Sequence, residues 1–200
     1  MASQVDIANR ALDKLGAESI VTLTEDSENA RVINRMYTIV LESMLRSHTW
    51  NCAKVRVQLA PMATAPAFDY GYQFQLPADC LRPIFPPNVT DWSIEKGNVL
   101  LTNDGSVLNL VYVSTLDDPN DMDACFVEAF AAKLAMECAE KVTQSATKRK
   151  LATDEYKMAM DEAKKANAYE SIPMQQDYSS WVDARITGPG QNPMYVRRNN

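Results

Sequence analysis

The chain is poor in the residues on which nucleotide binding and acid–base catalysis most often depend. Only six of its 200 residues are glycine, and His48 is its single histidine. No glycines follow the spacing of a dinucleotide-binding or phosphate-binding loop, so we expect no nucleotide chemistry. A serine-hydrolase triad would have to use His48 as its base, and no serine lies in a Gly-x-Ser-x-Gly turn. We expect His48 instead to end a helix, where it packs beside Trp50 or contacts the last carbonyls.

Cysteine is also scarce and widely spaced. The four cysteines are Cys52, Cys80, Cys125 and Cys138, and no two of them have the Cys-x-x-Cys spacing of a zinc or redox site. Cys125 and Cys138 fall in one predicted helix, whose rise separates them by about 20 Å, too far for a disulfide. We therefore expect four reduced thiols, no metal site and no cofactor.

Long apolar runs are absent. No segment approaches the roughly 18 apolar residues of a membrane-spanning helix, and the opening MASQVDIANR lacks the apolar stretch of a signal peptide. We therefore expect a protein that is made and assembled in the cytoplasm, without a membrane partner.

Positive charge is in deficit. The net charge of −6 and the isoelectric point near 4.9 argue against proteins that grip nucleic acid through lysine and arginine. Lys54 and Arg56 lie close to Trp50, an arrangement that could belong to a nucleic-acid surface. Two cations on one strand face do not make a channel, so we interpret them as a solvated surface.

Four segments have apolar residues at helical spacing, about 4–15, 27–47, 122–142 and 145–168. Ser3 is the predicted N-cap of the first helix, and Gly16 stands where its C-terminal stop belongs. The second helix can be capped by Asp26 or Ser27. The predicted apolar minority of the fourth helix is Leu151, Tyr156, Met160 and Ala163.

Between about residues 50 and 113 the apolar period changes from helical to two. Val55, Val57 and Leu59 alternate with polar residues, and so do Tyr70, Tyr72, Phe74 and Leu76. Turn sequences at 95–98 and 103–105 separate the later strands, which predicts a short antiparallel meander. The proline-rich stretches 61–66 and 83–87 would be its loops or edges. Trp50 lies where the period changes, and we predict that it anchors the core between the helical and β parts.

Two groups of carboxylates have two interpretations each. Four aspartates between 117 and 123 could bind a cation, but they lack the Asp-x-Asp-x-Asp-Gly loop of a calcium site. Glu25, Asp26 and Glu28 could be paired catalytic acids, although nothing nearby would raise a carboxyl pKa. Both groups also suit helix N-termini, where the helix dipole favours negative charge. We predict the capping role for both and assign no catalytic residue and no metal ligand.

Residues 171–200 have neither a helical nor a strand period. Gly188-Pro189-Gly190 and Pro193 break regular structure, and a segment of this composition orders on a partner surface. We predict an extended C-terminal docking arm. Its apolar anchors would be Trp181, Ile186 and Tyr195, and Arg197 and Arg198 would donate to carboxylates of the partner.

These patterns predict an α+β protein that is mainly α. A helical bundle domain of about four helices comprises residues 1–49 and 114–170. An antiparallel β-rich insertion, residues 50–113, separates the two helix pairs, and the arm, residues 171–200, completes the chain.

The first sixty residues resemble a family of structural phage proteins. Ala11-Leu12-Asp13-Lys14-Leu15-Gly16 precedes Val21-Thr22-Leu23; Ser27-Glu28-Asn29-Ala30 then opens a long helix, and the segment from Leu45 to Asn51 carries Trp50. Together these resemble the tail tubular protein A family of short-tailed bacteriophages. The opening ALDKLGA is also similar to the head-completion proteins that stabilise packaged DNA. The chain departs from the family at Ala17-Glu18-Ser19, where a proline is common, and at Thr49-Trp50, where Gly-Trp is common.

The resemblance implies a structural head-to-tail adaptor, or connector, found in the virion tail and assembled in the host cytoplasm. It implies a homo-oligomeric ring of twelve subunits between the portal protein and the tail nozzle protein. Genomic double-stranded DNA would pass through the lumen during ejection without sequence-specific binding.

Two other classes of protein are alternatives to the adaptor. A tail-associated enzyme that hydrolyses polysaccharide or cell wall would need two carboxylates in a groove, about 5–9.5 Å apart. A free cytoplasmic binding protein would use a groove between its helices. The mass of the native assembly discriminates, because the adaptor alone is expected to form a ring of many subunits.

Overall fold

A computed structural model describes residues 3–84 and 91–170 of the chain. The chain divides into two units, Met1–Glu170 and Ser171–Asn200, and every described residue belongs to the first. Its helices are α1 (Gln4–Leu15), α2 (Glu28–Ser47), α3 (Ala124–Thr143) and α4 (Ala146–Tyr169). Its strands are β1 (Lys54–Leu59), β2 (Tyr72–Gln75), β3 (Cys80–Ile84), β4 (Trp92–Glu95), β5 (Val99–Thr102) and β6 (Leu108–Ser114). This is an α+β fold, as the two apolar periods predicted.

The helix α1 has the ends that the sequence predicted. The Ser3 hydroxyl accepts from the Asp6 N–H, and the Asp6 carboxylate accepts from the Ser3 N–H, so the first turn is closed by a capping box. Gly16 ends the helix at φ 64°, a left-handed conformation that glycine adopts without strain. The Asn9 side chain then bonds both the N–H and the carbonyl of Ile20. These bonds hold the connection to α2 against α1.

The helix α3 is the centre of the helical part. It packs against α1, α2 and α4, whereas α1 and α2 make little contact with each other. Phe126, Phe130, Leu134 and Cys138 are buried, as predicted. Alanines are buried on its other sides, at positions 129, 131, 132, 135 and 139. Small side chains let three neighbouring helices approach, which explains why α3 is apolar nearly all round.

The predicted meander is wrong. The strands form two three-stranded antiparallel sheets, in the orders β1-β6-β3 and β2-β5-β4. The first and last strands pair with each other, from Lys54 opposite Val113 to Leu59 opposite Leu108. Only the β4–β5 hairpin follows chain order, around Gly97 and Asn98 at positive φ. A period of two identifies a strand but does not select its partner, so the pattern could not exclude this closure.

The strand β6 is the central strand of its sheet and contributes to both hydrophobic clusters. Leu108, Leu110 and Tyr112 belong to a hydrophobic cluster between the two sheets, together with Phe74 and Leu100 of the second sheet. Val113 points the other way and belongs to the larger cluster of the helices. The edge strand β3 contains Pro83, opposite Tyr112. Its edge position agrees with the prediction that prolines lie in loops or at edges.

The helix α4 differs from its predicted apolar stripe in one place. Leu151 is 60% exposed, and the neighbouring Ala152 is buried in its stead. Met160 and Ala163 are buried, as predicted. Because α4 has few apolar residues, its sequence defines poorly which side of the helix faces the core. The predicted stripe is therefore wrong by one residue at this position. Among the described residues, no helix has the length and apolar character needed to cross a membrane.

Candidate interaction surfaces

Trp50 lies between α2 and β1, next to the short 3₁₀ turn Asn51–Ala53. It is only 1% exposed, and its indole Nε1 donates to the Met44 carbonyl over 3.0 Å. Its ring meets Phe126 of α3 edge to face, with centroids 5.0 Å apart. The indole therefore connects the end of α2, the centre of the helical core and the entry into the first sheet.

His48 is the C-cap residue of α2 and packs against Trp50, with ring centroids 4.9 Å apart. Its Nε2 lies 3.3 Å from the Asn167 amide nitrogen. Burial lowers the pKa of His48, and the positive charges of Lys164 and Arg82 lower it further. Within the described ranges, no serine or carboxylate is hydrogen-bonded to this ring. The packing role predicted for His48 is the one that the geometry shows.

The carboxylates around the start of α2 have structural partners. The Glu25 carboxylate accepts from the Val21 and Thr22 N–H groups. Its pKa is lowered chiefly by a hydrogen bond with the Ser27 side chain and further by these two backbone bonds. Asp26 forms an ion pair with Arg31, and Glu28 lies 3.6 Å from Lys141. A lowered carboxyl pKa is the opposite of what a general acid at neutral pH requires. The geometry therefore supports the structural role for this group.

Of the four aspartates between 117 and 123, Asp118 and Asp123 have the predicted capping role. Asp118 caps a 3₁₀ turn by accepting from the Asn120 N–H. Asp123 caps α3 by accepting from the N–H groups of Cys125 and Phe126. In residues 3–84 and 91–170, no group of three or more potential ligand side chains could hold a metal ion.

The four cysteines are free thiols. Cys125 and Cys138 both lie in α3, as predicted. Cys80 and Cys138 are buried, and burial raises the pKa of Cys138 to about 12. A buried thiol with a raised pKa is inert as a nucleophile and packs as a small apolar side chain.

Lys54 and Arg56 share one face of β1, as the alternation predicted. The Lys54 ammonium donates to the Asn51 side chain, which ties it to the strand entry. Arg56 is exposed beside a shallow groove of about 310 Å³, lined also by Gln58 and Asn109. Among the described residues Arg56 has no ion pair, and amide and aliphatic side chains line the rest of the groove, which fits the interpretation as a solvated strand face.

The β-insertion carries exposed apolar side chains, of which the sequence pattern had singled out only Tyr72, as a member of the alternating aromatic series. Phe68 is 77% exposed, Val107 56% and Tyr72 43%; we call these three residues the insertion tip. Within the series Tyr70, Tyr72 and Phe74, Tyr72 is exposed, whereas Phe74 is fully buried between the sheets. Phe68 lies two residues before Tyr70 and so continues the same alternation, and this was the signal that could have identified it.

The insertion tip is held together by specific contacts between its two loops. The Gly71 N–H donates to the Asn103 side chain over 3.0 Å. The Tyr72 ring lies directly on Gly105, where a Cβ atom would come within 2.3 Å of it. Any larger residue at 105 would displace the ring. The contacts of Gly71 and Tyr72 with the 103–105 loop therefore preform this part of the insertion tip, and the exposed Phe68 and Val107 flank it in the sequence.

The predicted docking residues of the arm lie outside the described residues. They are Trp181, Ile186, Tyr195, Arg197 and Arg198. No protein-family model matches the chain, and no curated protein matches it either. Function must therefore be argued from the surfaces described above and from the resemblance in the first sixty residues.

Proposed function

We propose that the chain is a structural head-to-tail adaptor of a short-tailed bacteriophage and not an enzyme. Twelve copies form a ring in the virion tail, between the portal protein and the tail nozzle protein. Double-stranded DNA passes through the ring without sequence-specific binding. The helical bundle (1–49 and 114–170) forms the body, the β-insertion (50–113) a lobe, and the arm (171–200) docks on the portal or a neighbouring subunit.

The insertion tip carries this proposal. Phe68, Tyr72 and Val107 are exposed apolar side chains. Tyr72 begins β2 and packs on Gly105, and the neighbouring Gly71 is hydrogen-bonded to Asn103. Clustered exposed apolar groups, aromatic ones above all, mark protein interfaces rather than solvated surfaces. A preformed tip loses little conformational entropy on binding. In the assembled tail this tip would contact the nozzle or the adjacent subunit.

The contacts of His48 and of the two carboxylate groups agree with a structural role. His48 is in contact with Trp50 and Asn167, and the carboxylates near 25 and 120 cap turns and helices. The net charge of −6 favours passage of DNA over adhesion to it.

The decisive experiment measures mass and shape. We expect light scattering of the purified protein, alone or mixed with the portal of its phage, to give an assembly of about twelve subunits. Negative-stain images should then show a ring coaxial with the portal, while portal alone provides the reference image. A protein that stays monomeric in both conditions, at concentrations well above those in an infected cell, would contradict the adaptor function.

A further inference from the structure

A basic groove lies on the helical part, in a chain that is otherwise acidic. It has a volume of about 580 Å³ and is lined by Glu28, Arg31, Val32, Asn34 and Arg35 of α2 and by Lys141 of α3. Three cations thus face one carboxylate. We call these six residues the basic groove.

The charges of the basic groove are only partly neutralised inside the subunit. Arg31 pairs with Asp26, and Lys141 lies 3.6 Å from Glu28, with every one of these side chains more than half exposed. Arg35 is exposed and has no ion pair among the described residues. Ion pairs this exposed are worth little, so the groove can exchange them for a better partner at small cost.

The opposite charge lies at the other end of α3. Asp117, Asp118 and Asp121 are exposed, and none forms an ion pair within the described part of the chain; we call them the acidic turn. Asp118 and Pro119 fix its shape as a capped 3₁₀ turn. The helix rises about 26 Å between its first residues and Lys141. The two charged surfaces are therefore too far apart to meet within one subunit.

We propose that the basic groove of one copy binds the acidic turn of the next copy, and that this contact joins subunits head to tail. The proposal rests on the ring function proposed above. A closed ring needs two different, complementary patches on each subunit, and these two patches differ in sign and lie at opposite ends of a rigid helix. Two basic grooves facing each other would repel, so the contact joins groove to turn, and the number of subunits in the assembly distinguishes a ring from a two-fold pair.

Duplex DNA is a weaker fit to the same groove. Non-specific binding to DNA depends on many lysines and arginines that neutralise successive phosphates. The basic groove offers three cations, Arg31, Arg35 and Lys141, which are too few to follow the successive phosphates of a duplex. A short segment with a few carboxylates matches the size and charge of the groove better.

The test reverses the charges on each side and then on both. The groove variant is Arg31→Glu with Arg35→Glu, and the turn variant is Asp117→Arg with Asp121→Arg, which spares the capping residue Asp118. Each alone should weaken self-association roughly a hundredfold, because like charges then face each other. The variant with all four changes should assemble again, since every contact regains opposite charges. Assembly is measured by sedimentation velocity of the full chain.

Two additional variants keep the result interpretable. Arg35→Glu alone disturbs no ion pair within the subunit, so its thermal unfolding should match that of the wild type while its assembly weakens. The second is Lys157→Glu with Lys165→Glu on α4, which changes the net charge by as much as the double groove variant does. It should leave assembly intact. If this control weakens assembly equally, the effect is one of total charge and the proposed contact is wrong.

The remaining outcomes separate this contact from the ring itself. A groove variant that still forms the wild-type assembly would overturn the contact and leave the ring standing. If that assembly no longer retained duplex DNA, the groove would belong to the lumen. A folded four-change variant that fails to reassemble would show that groove and turn do not meet. A wild-type protein that is monomeric would overturn the ring, and this contact with it.

Discussion

The indole Nε1 of Trp50 donates to the carbonyl of Met44, six residues earlier in the chain, over 3.0 Å. The bond satisfies a carbonyl in the last turn of α2, where helical partners run out. The same indole is buried against Phe126. One side chain thus ends a helix and fills the core beneath it.

Replacement of Trp50 by alanine should therefore destabilise the protein severely. We expect a loss of about 3–5 kcal/mol in the free energy of unfolding, the usual cost of truncating a buried aromatic residue. Trp50→Phe should cost less, because it keeps much of the packing and loses the hydrogen bond, worth about 1 kcal/mol. Urea unfolding measures both. Ile39→Ala, at a 63% exposed position on α2, is the control and should change stability by no more than about 0.5 kcal/mol.

A second prediction concerns the effect of pH on the contacts that Asn167 of α4 makes with the segment after α2. The Asn51 N–H donates to the Asn167 side-chain oxygen, which turns the Asn167 amide nitrogen toward Thr49 and His48. A neutral His48 ring can accept from this nitrogen, whereas a protonated ring would present a second donor to it. The contact therefore requires the neutral ring, which agrees with the lowered pKa of His48.

The sign of the pH effect follows from that shift. A histidine with a lowered pKa in the folded state binds its proton more readily when the chain is unfolded. Stability should be fully present above the ordinary histidine pKa of 6.5 and should fall as the pH drops below it. His48→Gln should flatten the melting temperature between about pH 7 and 5. An identical slope in wild type and variant would contradict the prediction, since the chain has no other histidine.

The insertion tip and the core of the insertion should respond differently to the same chemical change. Phe68→Ala removes a 77% exposed ring and should alter stability by no more than about 0.5 kcal/mol. If the tip is a binding anchor, affinity for the nozzle protein should fall by about 2 kcal/mol, or roughly thirtyfold. Phe74→Ala empties a buried site and should cost about 3–5 kcal/mol of stability. Unfolding curves and binding titrations separate the two effects; unchanged affinity in Phe68→Ala would remove the tip from the interface.

The sequence predicted features that depend on a few neighbouring residues, and it failed to predict features that depend on residues far apart in the chain. Helix ends depend on neighbouring residues, so Ser3 and Gly16 located the ends of α1 correctly, and Ser27, one of the two caps considered for α2, begins that helix. Strand partners depend on the whole chain, and the pairing of β1 with β6 was not visible in any short pattern. The same distinction holds for surfaces. The insertion tip joins residues 68–72 to 103–107, and the basic groove joins α2 to α3.

A further prediction addresses the enzyme alternative. Asp118, Asp121 and Asp123, replaced together by asparagine, should leave a folded protein, because asparagine caps turns and helices about as well as aspartate. Any hydrolysis of cell-wall polysaccharide by a pure preparation should be unaltered. Asp154→Asn with Asp161→Asn on α4 is a matched control for lost carboxylates. A folded triple variant whose turnover alone is lost would favour the hydrolase.

The last prediction concerns the predicted arm. A chain that ends at Glu170 keeps all four helices, both sheets and the contacts between them, including the bonds of Asn51 to Asn167. We therefore expect it to be soluble and to have the helical circular dichroism of the full chain.

The truncated chain should nevertheless lose its binding to the portal, because Trp181, Ile186, Tyr195, Arg197 and Arg198 are removed together. A full-length variant with Arg197→Glu and Arg198→Glu is the matched test of the charged end. If these arginines pair with carboxylates of the portal, reversal should weaken binding by about 2–5 kcal/mol. Co-sedimentation with portal measures both variants, and the full-length wild type provides the reference. Binding at full strength by the truncated chain would show that the portal recognises residues 1–170 instead, and the docking role of the arm would be wrong.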